Sequence, residues 1–171
     1  QALDADAENL DVEETARRAV AQRARLILLS TDSLNSGDVT KMASASETVK
    51  AIRRLDPSAK IALEGVVPSA FPESMLREEG ADFAIQGEAF QQVVDLLAVL
   101  KRGKPLPDDP IPGVWHLDGD RLVNSPRAAL LKIPDTLSYG AWDLLPMAKY
   151  RAHHWHCFDR LDQRQPYASI Y

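Results

Sequence analysis

Apolar and polar positions alternate in two registers between Leu3 and about Arg102. Short apolar runs are separated by longer stretches with helical period. Leu26-Ile27-Leu28-Leu29 is a continuous apolar run of strand length, the signature of a strand covered on both faces. Ile61-Ala62-Leu63 and Phe83-Ala84-Ile85 are shorter runs of the same kind. Asp11 with Glu14 reads as a capping-box start for a helix whose apolar stripe is Val12, Ala16, Ala19 and Val20. Met42, Ala45, Val49 and Ile52 form the next stripe, which stops at Asp56-Pro57 because a residue before proline avoids helical dihedrals. Pro72 and Glu73 suit the first turn of a third helix, and Gly80 its C-terminal cap. A fourth helix follows Gly87-Glu88, carries Val93, Val94, Leu96, Leu97 and Leu100, and ends in Lys101-Arg102-Gly103. Strands alternating with helices of this length predict right-handed crossovers and a parallel sheet, so the fold class is α/β.

Near Lys104 the pattern changes. Four prolines lie between Pro105 and Pro112, and then Val114-Trp115-His116-Leu117 and Arg121-Leu122-Val123 flank Asp118-Gly119, a hairpin signal. From about Pro126 to Tyr171 the chain carries prolines and aromatics with no sustained period, which reads as an extended connector. The expected organisation is an α/β domain over residues 1–104, a proline-rich loop and hairpin over 105–126, and a connector over 127–171.

Composition narrows the classes. The 171 residues carry a net charge of -5, which argues against nucleic-acid partners, since basic patches supply most of that affinity. No apolar run approaches the roughly 18 residues of a membrane span. The single cysteine, Cys157, has no partner for an intramolecular disulfide, which fits a reducing compartment and a cytoplasmic location.

In open parallel sheets, ligands bind outside the carboxyl ends of the strands. Three loops qualify: Ser30 to Gly37, Gly65 to Phe71, and Gln86-Gly87-Glu88. Hydroxyls, an amide and glycines suit a polar ligand with many hydrogen-bonding groups, although the same residue types are ordinary turn formers. Neither a G-x-G-x-x-G nor a G-x-x-x-x-G-K-[ST] motif follows a strand, and no G-x-S-x-G elbow is present, so a plain nucleotide enzyme or serine hydrolase is not indicated.

Several of these segments together resemble one family. Asp4-Ala-Asp-Ala-Glu-Asn-Leu10, the strand ending at Ser30, Glu64-Gly65, Pro68-Ser69, Pro72-Glu73 and Gly80-Ala-Asp-Phe-Ala-Ile-Gln-Gly-Glu88 are similar to the cobalamin (B12)-binding domain at the front of cobalamin-dependent radical S-adenosylmethionine enzymes. Ile111 to Gly119 looks like the hairpin that follows that domain. Tyr139-Gly-Ala-Trp-Asp-Leu-Leu-Pro146 with Tyr150 looks like its connector, and Tyr167 to Tyr171 like the first strand of the radical barrel. The resemblance implies a flavodoxin-like (Rossmann-like) parallel sheet with flanking helices, followed by the hairpin and connector. The family's first strand and helix would precede Gln1. Its cluster-binding C-x-x-x-C-x-x-C run would lie past Tyr171, so these residues alone would neither hold a 4Fe-4S cluster nor cleave S-adenosylmethionine.

By the same resemblance, cobalamin is the ligand of the three loops, with Ser30, Thr31, Ser33, Gly65, Val66, Ser69, Gly87 and Glu88 as the binding residues. Ser30-Thr31-Asp32 stands where the family has S-x-L, Glu64-Gly65 where it has Gly-Gly, and Gly87-Glu88-Ala89-Phe90 where members often show G-E-G-E. The implied function is that of a cobalamin-binding module whose partner is a C-terminal radical domain of the same polypeptide. That domain would hold the 4Fe-4S cluster and S-adenosylmethionine, and the complete enzyme would pass a methyl group from methylcobalamin to an unactivated substrate. No catalytic residue is expected in this piece. The alternative is a non-enzymatic α/β binding or regulatory module that has lost cobalamin, which Asp32 and Glu64 would suit.

His153-His154-Trp155-His156-Cys157 could supply imidazole and thiolate ligands to a metal, but a tetrahedral site draws on two separated pairs and His116 is the only other histidine. An interdomain packing segment built on Trp155 and Phe158 is the competing reading.

Overall fold

The computed structural model describes residues 1–31, 40–103, 110–130, 132 and 137–150. The chain divides into two units, one over residues 12–132 and one formed by residues 1–11 with residues from 133 onward.

The larger unit holds the elements α1 (Val12–Ala21), β1 (Ile27–Ser30), α2 (Thr40–Leu55), β2 (Ile61–Glu64), α3 (Val66–Ala70), α4 (Pro72–Arg77), β3 (Phe83–Ile85), α5 (Phe90–Arg102), β4 (Val114–Asp118) and β5 (Arg121–Val123). Their strands form one sheet in the order β1-β2-β3-β4-β5. The pairs β1·β2 and β2·β3 are parallel, as the alternation with helices predicts, whereas β3·β4 and β4·β5 are antiparallel. The hairpin therefore extends the sheet. Its two-residue turn is Gly119-Asp120, since Asp118 pairs with Arg121, and Gly119 takes the positive φ of 59° that a hairpin turn requires at its first central position.

Side chains alternate faces along each strand, and the two faces carry separate cores. Ile61, Leu63 and Ala84 pack on one side with Ala16 of α1, Val49 and Ile52 of α2, and Met75 and Leu76 of α4. Ala62, Phe83, Ile85 and Val114 pack on the other with Leu96 of α5, Ala89 and Ile111. The stripes read for α1 and α2 face the first core as expected, with Val12, Ala19, Val20 and Met42 at its margin. The stripe of α5 is rotated from the expected one. Val94 and Leu97 are exposed, while Gln92 is buried beside the fully buried Leu96, four residues on. Residues 66–70, expected as loop, form the short helix α3 with Pro68 in its first turn, where a missing N–H costs no helical bond.

In the smaller unit the Asp4 carboxylate accepts from the Ala7 N–H (2.9 Å) and from the Tyr150 hydroxyl (2.6 Å), which joins the start of the chain to the connector. Burial first, and then the bond to Asp4, push the Tyr150 phenol up to about 12. Two short 3-10 turns, Trp142–Leu144 and Met147–Lys149, precede this tyrosine.

Candidate functional site

Strand register places the residues that lead into the candidate segments side by side. Ser30 pairs with Glu64, Glu64 with Ile85, and Ile85 with Val114, so the three parallel strands end in one row. The next residue of each strand, Thr31, Gly65 and Gln86, opens a loop at the same sheet edge, the position where open α/β sheets hold ligands.

Each loop contributes differently. Ser30 is exposed at the end of β1. Thr31 is buried and donates twice to the Glu64 carbonyl, from its N–H (3.0 Å) and from its hydroxyl (2.9 Å). Its side chain thus braces the row. Ser33 lies outside the described residues. Gly65 has φ 124° and ψ -169°, backbone space that a residue with a Cβ enters only with strain, and it leads directly into α3. Val66, the first residue of that helix, leaves its side chain largely in solvent, at 53% exposure. Gly87 is exposed, at φ 97°, and Glu88 beside it is exposed as well.

The second and third loops are bonded to each other through Ser69. Its hydroxyl oxygen accepts the Gly87 N–H (3.0 Å), and its carbonyl accepts from the Gln86 side-chain amide (2.9 Å). Gln86 is further held from behind. Its N–H donates to the Gly113 carbonyl (2.8 Å) and its own carbonyl accepts from Gln92 Nε2 (3.4 Å). Gly113 in turn receives the buried Ser125 hydroxyl oxygen at its N–H (3.0 Å), and that hydroxyl donates to the Ile111 carbonyl (2.6 Å). Gly113 has no room for a side chain, because a Cβ there would stand 2.9 Å from the Gln86 carbonyl oxygen.

The sequence marks Gln86 only as part of the third loop and gives Gly113 and Ser125 no role at this edge. The one available signal was Gln92, a polar residue four positions before Leu96 on what becomes the buried side of α5. An open cavity of about 520 Å³ touches the end of the second candidate segment at Ala70 and Phe71 and is otherwise lined by α4, Glu78 and Trp115; among the described residues, none of the proposed binding residues lines it. Among the described residues no group of three His, Cys, Asp or Glu could hold a metal ion, and His153, His154, His156 and Cys157 lie outside them. No helix among the described residues is long and apolar enough to cross a membrane.

The comparisons with known proteins bear on this edge of the sheet. No curated protein matches the chain. Among solved structures, the chain is similar to the radical S-adenosylmethionine methyltransferase TsrM from Kitasatospora setae, determined with cobalamin and a 4Fe-4S cluster bound. The TM-score is 0.58 at 20% identity over 77% of this chain, a likeness of fold. The chain spans 24% of the length of that protein. The family described as the B12 binding domain matches residues 1–97, a stretch that takes in β1 to β3, all three loops and most of α5. The chain belongs to the B12-binding domain family.

Proposed function

We propose that the row of loops after β1, β2 and β3 holds cobalamin, and that the chain serves as the cobalamin-binding module of a radical S-adenosylmethionine enzyme. The observation that carries this reading is the register Ser30, Glu64 and Ile85, which sets two positive-φ glycines and two serines along one edge of the sheet. The residues present fit such a group. Gly65 and Gly87 let backbone come close to a bulky ligand, and the half-exposed Val66 offers an apolar contact for a ring. Ser30 and Ser69 supply neutral hydroxyls suited to the amide and phosphate groups of a corrinoid. Thr31 braces this edge, and Ser33 and Glu88 complete the set.

Bound there, the cofactor supplies methyl-transfer chemistry. The chain's own residues bind and orient, and none of them is cast as an acid, base or nucleophile. The methyl acceptor would be an unactivated carbon or phosphorus. The 4Fe-4S cluster and S-adenosylmethionine belong to a radical domain of the same polypeptide, which is the partner of this module. Residues 1–104 would form the binding domain, 105–126 the loop and hairpin, and 127–171 the connector, in a cytoplasmic protein.

Two observations test the reading. The reading frame beyond Tyr171 should show a C-x-x-x-C-x-x-C run, the cysteine set that holds such a cluster, and its absence would remove the radical enzyme. Full-length protein incubated with hydroxocobalamin and desalted should keep the corrin absorbance. A colourless protein would favour the alternative of a module that has lost its cofactor.

A further inference from the structure

We propose that Gln86 is the positioning residue that makes the second and third loops a single site, an inference that rests on cobalamin being held at these loops. Three polar groups of Gln86 bond to three different parts of the chain. Its N–H goes to Gly113 at the entry to the hairpin, its carbonyl to Gln92 of α5, and its side-chain amide to Ser69 of α3. The following residue, Gly87, donates to the hydroxyl of the same serine. Ser69 is thereby gripped at both oxygens by two consecutive residues of the neighbouring loop. With its hydroxyl oxygen accepting from Gly87, Ser69 still has its own O–H to donate, and in this proposal that proton is offered to the ligand. Gln86 fixes the backbone of Ser69 and, through Gly87, the rotamer of that hydroxyl.

The chemistry of residue 86 makes the idea separable from simple packing. An amide nitrogen donates to the Ser69 carbonyl. An ionised carboxylate would set oxygen against oxygen, whereas a protonated carboxyl would restore a donor. A leucine of similar size would fill the space and donate nothing. The test measures cyanocobalamin affinity of full-length wild type, Gln86→Leu and Gln86→Glu at about pH 8 and about pH 5, values that bracket carboxyl protonation in a half-buried site. Gln86→Leu should weaken binding about tenfold at both pH values. Gln86→Glu should weaken it at least as much at the higher pH and return to within about threefold of wild type at the lower one. A Gln86→Leu protein that binds like wild type would overturn the proposal, as would a Gln86→Glu protein whose deficit does not change with pH.

A second arm uses ligand-free protein. Amide hydrogen exchange of residues 67–71 and of Gly87 should rise about tenfold in Gln86→Leu while α1 and α2 keep wild-type rates. Unchanged exchange at these loops would overturn the coupling. Wild type that retains no cyanocobalamin would instead reject cobalamin binding, and the exchange arm would then decide the coupling alone.

Discussion

The two ends of the parallel strands are built from opposite materials. At the amino end the Asp82 carboxylate gathers Arg53 (2.5 Å), Lys60 (2.8 Å) and the Ile61 N–H (2.9 Å). Arg53 also donates to the Ala59 and Gly80 carbonyls, so α2 and the starts of β2 and β3 are locked by one charged cluster. At the carboxyl end, beside Glu64 and Glu88, the bonds that join Ser69, Gln86, Gly87 and Gln92 are between neutral groups. Charge-assisted bonds are the stronger kind and suit a place that must not move. Weaker neutral bonds suit a place that must adjust to a ligand. The contrast separates what holds the strands together from what the strands present.

The largest effect is expected at the locked end. Asp82→Ala removes the acceptor of both cations and of the Ile61 N–H, and should cost about 3 kcal/mol in urea unfolding, since charged hydrogen bonds are worth more than neutral ones and their loss strands half-buried partners. Burial pushes the Asp82 carboxyl up, but the bonds from Lys60, Arg53 and Ile61 outweigh it and hold the carboxyl below the usual range. A lowered folded-state value means that the stabilisation is complete above roughly pH 4 and is lost as the pH falls below it. Asp82→Asn should flatten that acid limb of the stability profile. An unchanged limb would show that the acid sensitivity arises elsewhere.

Next comes Gly65→Val, which forces a branched side chain into backbone at φ 124°. About 2 kcal/mol of stability should go with it, along with corrin retention after desalting. Retention at the wild-type level would detach this loop from the site. Ser125→Ala acts behind the third loop and should cost about 1 kcal/mol by thermal or urea unfolding, because a buried hydroxyl that bonds Gly113 and Ile111 is lost while Gly113 keeps a bond to the Pro126 carbonyl (2.8 Å). The smallest effect belongs to Ala89→Gly. Ala89 sits at φ 60° just before α5, so glycine relieves roughly 1 kcal/mol of left-handed strain. The same change removes a buried methyl worth about 0.8 kcal/mol, and the net shift should stay within about 0.5 kcal/mol.

Much of the sheet was legible from local pattern. Phe83-Ala84-Ile85 is a strand with those bounds, and Gly103 caps α5 at φ 64° as its place after Lys101-Arg102 predicts. The common edge at which β1, β2 and β3 end followed from topology alone. Non-local partners were not legible. Val94 and Leu97 look like core residues in a helical wheel, yet the segment around Ile111 and Val114 covers the side of α5 that carries Leu96 and Gln92, so the apolar pair is left in solvent. Gln86 reads as an ordinary turn residue because its importance lies in bonds to Ser69, Gln92 and Gly113, which only the folded chain brings near. Ala89 is the converse case. Its left-handed backbone would suit glycine, and alanine is tolerated there because the methyl is buried in the second core.

Amide hydrogen exchange of the full-length protein with and without bound cobalamin tests the division between the two ends most directly. Cobalamin held at the loop row predicts slowed exchange at residues 65–69 and 86–88, with no change around Lys60, Ile61 and Asp82. Protection confined to the Asp82 end, to the α4 and Trp115 cavity, or to neither loop would contradict it.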